Sequence, residues 1–235
     1  MRGCLPLLGT LLVLGVFLPW VIFLVLAVGI VLFLVFVPLG FAAQSLFWLV
    51  SGPSQLYGIL TNPRVRRNHA LEHATVHVLE ERHGPLGISG LAFENGFTVR
   101  GDLFDAATVL NAARIALRRL QSGEKDLAVH PRCGTTAVVA NLLAAVVFLA
   151  LLILTGRLSL MAVLVALVAA QLVGPSGGLW VQRHITTDAE VSQLEILGVE
   201  LQGRRGYGLG GSVVPEQLLV VTRMAGAAVS PEVVS

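Results

Sequence analysis

Apolar residues run unbroken over long stretches of this chain and mix with polar ones mainly in its middle. From Gly3 to Pro63 there is no Asp, Glu, Lys, Arg or His, and Leu5 to Val50 is almost wholly apolar. At about 1.5 Å per residue that segment would make a helix of roughly 69 Å, against a hydrocarbon core of about 30 Å. The pattern predicts two membrane helices, broken near Pro19 or near Pro38-Leu39-Gly40. The competing reading is one long tilted span continued by an interfacial helix carrying Gln44, Ser45, Trp48 and Tyr57. The stretch is too long for a signal-peptide core, and no small-residue cleavage site follows it. A second apolar pair, Thr135 to Leu154 and Leu158 to Val181, is divided by Thr155-Gly156-Arg157 and predicts a helical hairpin. Backbone groups in lipid must bond internally, so these segments are expected to be helices, with Asn141 and Gln171 bonding between them.

Between the two apolar regions the periodicities change. Val65 to His83 has helical spacing, with Ala70, Leu71, Ala74, Val78 and Leu79 on one face and His69, Glu72, His73 and His77 on the other, stopped by Gly84 and Pro85. Ile88 to Phe93 and Phe97 to Arg100 flank Glu94-Asn95-Gly96, a hairpin signal. A second amphipathic helix is expected from an N-cap at Asp102 to Gly123, with Arg114, Arg118 and Arg119 solvated. After the last apolar segment, Thr187 and Glu190 stand in capping-box register, which predicts a helix from Asp188 to Gln202. Arg204 and Arg205 are expected at lipid headgroups or water, Gly206, Gly208, Gly210 and Gly211 around Tyr207 predict a flexible linker, Glu216 to Met224 a short strand, and the last residues disorder.

Composition narrows the function. Of the 235 residues 55% are hydrophobic and only 13% charged, and residues 61 to 132 hold 10 basic and 8 acidic side chains of the 30 in the chain. So little charge excludes a soluble globular enzyme and a disordered protein, and a net charge of +2 without a basic stripe excludes a nucleic-acid binder. No acid or base lies mid-membrane in the apolar segments, which argues against a proton-coupled transporter or a channel. Arg64, Arg66, Arg67 and Arg183 flank the apolar regions on the side of the polar domain, whereas the turn of the hairpin carries only Arg157. The positive-inside rule then puts the polar domain in the cytosol of a multi-pass protein of the bacterial inner membrane.

The candidate chemistry lies on the polar face of the first amphipathic helix. Residues four apart on a helix share a side, so His69 and His73 can offer ring nitrogens to one ion, with Glu72 beside them to take a proton from water. Val129-His130-Pro131-Arg132-Cys133-Gly134-Thr135-Thr136 offers a further imidazole and a thiol three residues apart, and reads equally as a turn before a helix. If His69, His73, His130 and Cys133 all bind, the tetrahedron is closed and the metal structural; if three bind, a position is open and Glu72 can act as general base. His77 and His83 read as face and C-terminal residues, while His184, Thr186 and Asp188 emerge on the same side and can border the site.

His69-x-x-Glu72-His73 looks like the motif of the inverzincin peptidases, a resemblance of five residues that implies two histidine ligands and a glutamate base. His-Ala-Leu-Glu-His followed by His-Pro-Arg-Cys-Gly-Thr also resembles the YqhQ-like family of bacterial membrane proteins and its relatives, over roughly residues 60 to 185. That resemblance implies a metal near His69, His73 and His130, and no substrate. The resulting expectation is a mainly α-helical integral membrane protein with about four transmembrane helices. Residues 1–60 and 135–182 form the helical pairs, 61–134 an inserted α+β domain (helix, hairpin, helix), and 183–235 a C-terminal helix and tail. The expected function is zinc-dependent hydrolysis, with peptides at the membrane surface as candidate substrates. A non-enzymatic membrane adaptor or assembly factor with a structural metal is the alternative.

Overall fold

The computed structural model of the chain describes residues 4–85, 87–101, 105–202 and 217–225, with side chains from Val16 onward. Its elements are α1 (Cys4–Leu60), α2 (Pro63–His83), β1 (Ser89–Phe93), β2 (Gly96–Arg100), α3 (Ala106–Gln121), α4 (Gly134–Thr155), α5 (Leu160–Val181), β3 (Leu194–Gln202) and β4 (Gln217–Met224). A 3-10 turn at Lys125–Ala128 follows α3, and a π-helical turn at Gln182–Thr186 ends α5. The helices and strands fall into two units, residues 1–49 with 142–169 and residues 50–141 with 170–235.

Three helices among the described residues are long and apolar enough to cross a membrane: Val16–Leu60, Gly134–Thr155 and Leu160–Thr186. The expected break in the first apolar region does not occur, so three such helices replace the expected four. α1 runs through Pro19, Pro38 and Pro53 without interruption. In an apolar stretch the backbone has no partner but itself, so losing one hydrogen bond at a proline costs less than ending the helix and exposing several groups. In the first unit Phe148 is fully buried, packs on Ala162, Val163 and Ala166, and meets Phe41 edge to face at 5.0 Å between centroids.

The second unit is built on a four-stranded antiparallel sheet in the order β1-β2-β4-β3. β2 pairs with β4, Gly96 opposite Val221 through Val99 opposite Leu218, so the C-terminal strands complete the hairpin's sheet. Helices α2 and α3 pack on this sheet and on each other, burying Leu71, Leu79, Val109, Ala113, Phe97 and Val220. Asn62 caps α2 by accepting from the Arg64 and Val65 amides, and Gly84, at a φ of 82° that favours glycine, ends it while its amide donates to Glu80 O. The N-cap of α3 is Asp105, which accepts from the Thr108 amide; the expected cap, Asp102, lies outside the described residues, as do 203–216 with the expected linker and 226–235 with the expected tail.

The segment expected to be a helix from Asp188 to Gln202 contains β3. Its period-two alternation is interrupted by a register shift between Ile196 and Gly198, which hides a strand pattern. The residues that imitate a capping box serve a turn instead: Glu190 donates its amide to Asp188 Oδ1, and the Thr187 hydroxyl donates to Gln182 O. Asn141 bonds within its own helix, donating to Ala137 O at 2.9 Å, and not across the hairpin. What brings α4 and α5 together in this unit is small residues. A Cβ on Gly174 would meet the Ala140 Cβ at 2.7 Å and one on Gly178 the Thr136 Cα at 2.7 Å, so the two backbones approach over glycines four apart.

Candidate metal centre

Helix α2 buries its polar face as well as its apolar one. Asn68, His69, Glu72, His73 and Thr75 are all 7% exposed or less, although such groups are costly to bury without partners. Two of the partners are backbone carbonyls. His69 Nδ1–H donates to Thr186 O at 3.0 Å, and His73 Nδ1–H donates to Ala128 O at 2.8 Å. A carbonyl only accepts, so each ring is fixed with its proton on Nδ1 and its lone pair on Nε2. Burial lowers both imidazole pKa values, His73 well below the ordinary one, so both rings are neutral, the form that binds a metal.

The His69 lone pair faces Cys133. Its thiol S–H donates to His69 Nε2 at 3.3 Å, and the ligand atoms of His69, His73 and Cys133 all lie within 4.8 Å of one another. A tetrahedral zinc site with bonds of about 2.0 to 2.3 Å holds such atoms roughly 3.3 to 3.6 Å apart, so small side-chain shifts would close the set. His73 Nε2 is buried and has no hydrogen-bond partner, the orphaned acceptor that a cation would satisfy. Burial pushes the Cys133 thiol up, but the Thr135 amide donates to Sγ at 3.4 Å and α4 begins one residue later, both of which favour the thiolate an ion would require.

Glu72 stands beside these three on the wall of a cavity of about 470 Å³. Burial raises its carboxyl pKa to about 8. The carboxyl lies against β1 because residue 90 has no side chain: a Cβ on Gly90 would collide with Glu72 Oε1 and with Thr98 O. The cavity is also lined by Leu56 and Ile59 at the end of α1, by Ser89 to Ala92 of β1, and by Val138 in α4.

His130, expected among the ligands, is placed differently. Its Nδ1 accepts from the Arg132 amide at 3.3 Å, which leaves the proton on Nε2, and Nε2 donates to Glu80 Oε2 at 3.4 Å. Both ring nitrogens are therefore occupied, and the structure brings together His69, His73 and Cys133 without it. The bordering residues divide as well. Thr186 contributes its carbonyl, Asp188 pairs with Arg67 at 3.2 Å, and His184 stacks on Trp180. His77 donates to Val129 O at 2.9 Å, which ties α2 to the turn before Cys133.

Residues 64–199, more than half of the chain, match the family described as "Domain of unknown function (DUF6391)". The chain belongs to the DUF6391 family. An uncharacterized protein of Picosynechococcus sp. (strain ATCC 27264 / PCC 7002 / PR-6) is 38% identical over 135 residues, a match that covers 52% of this chain and 65% of that protein. No solved structure matches. Neither match supports membership of the YqhQ-like family, whose likeness rests on two short motifs. The DUF6391 region spans α2 to β3 and so contains all four groups, His69, Glu72, His73 and Cys133.

Several residues that hold this DUF6391 centre carry no signal in a ligand motif. Gln182, fully buried in the π-helical turn, accepts from the His130 amide at 2.9 Å and donates to Thr136 Oγ1 at 2.8 Å, fastening both ends of the loop that carries Cys133. The same turn supplies the Thr186 carbonyl; π-helical turns recur where a helix must present groups to a site. Gly90 was legible in principle, since a glycine inside a strand pattern signals a close approach.

Proposed function

We propose that this DUF6391 protein is a membrane-embedded hydrolase that holds a divalent ion, zinc by its donor set, on His69, His73 and Cys133 of a cytosolic domain. The observation that carries the reading is the convergence of two tautomer-fixed imidazoles and a thiol beside a buried carboxyl on one cavity wall. Two nitrogens and one sulfur are a three-ligand set, which leaves a fourth position free on a four-coordinate ion. An ion there would supply Lewis acidity toward a substrate carbonyl or phosphoryl oxygen and would draw the Glu72 pKa back down. Glu72 accepts a proton from a water in the cavity and returns it to the leaving atom, so the water oxygen replaces that atom on the substrate. His130 supports the site from outside through Glu80, and the flanking arginines keep the domain on the cytosolic face.

Element analysis of the purified full-length protein is expected to give one zinc per chain. Glu72→Gln is expected to keep the ion and to lose hydrolysis of quenched fluorescent peptides and esters. An ion-free protein, or a Glu72→Gln protein as active as the parent, would overturn the reading.

A further inference from the structure

We propose that the outer edge of β1, which has no strand partner among the described residues, binds an extended polypeptide segment, which adds to the sheet as a fifth strand and lies along the cavity past the metal ligands; the inference rests on the metal-site reading above and names its substrate class. β1 is the terminal strand of the order β1-β2-β4-β3, and Ser89, Gly90, Leu91 and Ala92 line the same cavity as His69, Glu72, His73 and Cys133. The inward positions, Gly90 and Ala92, are the smallest available, so the Glu72 carboxyl lies against the strand's backbone. The outward positions, Leu91 and Phe93, are 59% and 40% exposed.

The two edges of the sheet are treated differently. β3, at the far edge, carries Glu195 and Glu200 and a register shift at Ile196/Gly198, the devices that prevent unwanted strand pairing. β1 has no charge, no proline and an uninterrupted register from Ser89 to Phe93. An edge left bare exposes N–H and C=O groups on alternate residues, a repeat of roughly 7 Å that an extended backbone matches. Polypeptide binding by strand addition uses such an edge for affinity and alternate side chains for selectivity. Here it would draw successive carbonyls past the metal ligands and favour apolar residues opposite Leu91 and Phe93.

The test uses zinc-loaded, full-length Glu72→Gln protein in detergent, which is expected to retain the ion without cleaving. It is mixed with a fluorescein-labelled library of ten-residue peptides, or with the same library N-methylated at alternate residues to remove backbone donors. The proposal expects the unmodified library to slow hydrogen exchange within residues 89–92 at least tenfold, and N-methylation to weaken binding at least tenfold. Equal binding of both libraries, no binding of either, or protection confined to other strands would overturn it while one zinc per chain leaves the metal reading standing. A protein without zinc would overturn both.

Discussion

Helices α2 and α3 pack on the same sheet and on each other, yet only α2 buries a polar face beside its apolar one. α3 buries Val109, Ala112, Ala113, Ala116 and Leu120, all apolar, and turns Arg119 outward to Glu81 and Glu124. α2 buries as apolar a face and, beside it, Asn68, His69, Glu72, His73 and Thr75. α3 alone would satisfy the needs of folding. The polar face of α2 is costly to bury unless a specific partner compensates, and the histidines show the form of the compensation: each ring is bonded on one side and left with a lone pair on the other. Departures from ordinary packing of this kind concentrate at functional sites.

The contrast can be broken most severely by removing a ligand. His73→Ala should lower zinc affinity by more than the roughly 10- to 100-fold that loss of an outer-shell partner costs, measured by competition with a chromophoric chelator. Leu120→Ala in α3 should do the reverse. Denaturation of the metal-free protein should show a loss of about 2 to 5 kcal/mol, with zinc affinity unchanged within a factor of two or three. Gly90→Ala, which forces a methyl group against Glu72 and the Thr98 carbonyl, should cost about 1 to 3 kcal/mol and abolish hydrolysis while the ion is retained.

A finer separation comes from pH in the metal-free protein. Burial holds His69, His73 and His130 below the ordinary imidazole value of 6.5, so the unfolded chain binds more protons and stability falls as pH drops below that value. Glu72 acts in the opposite sense. With its folded pKa raised from 4.5 to about 8, it favours folding at low pH, and that contribution is lost as pH rises across the interval. Between 6.5 and 8 the Glu72 effect stands alone among these groups, so stability should decline there in the parent and stay level in Glu72→Gln. The acid-side loss should remain in both, as read from urea midpoints.

Much of this architecture is legible in the amino-acid sequence. Periodicity and stop signals place α2 and the hairpin within a few residues, and i, i+4 spacing nominates His69 and His73 with Glu72 between them. The His130-x-x-Cys133 spacing nominates Cys133, with a turn before the helix as the equal alternative. Three matters could not be read locally. A β-bulge hid β3, because period-two patterning cannot survive an inserted residue. The prolines of α1 suggested breaks by the rules of helices in water, where a freed carbonyl finds solvent. His130 looked equivalent to Cys133 three residues away, and only the tertiary placement of Glu80 and the Arg132 amide takes up both its nitrogens.

On the proposed reading, α2 buries polar residues in order to hold an ion with two imidazoles and one thiolate. X-ray absorption at the zinc edge of the purified full-length protein tests it most directly. Two nitrogens, one sulfur and one light atom in the open position are expected around the ion, with the sulfur lost in Cys133→Ser. A bound ion with no sulfur neighbour, or a shell unchanged by Cys133→Ser, would contradict it.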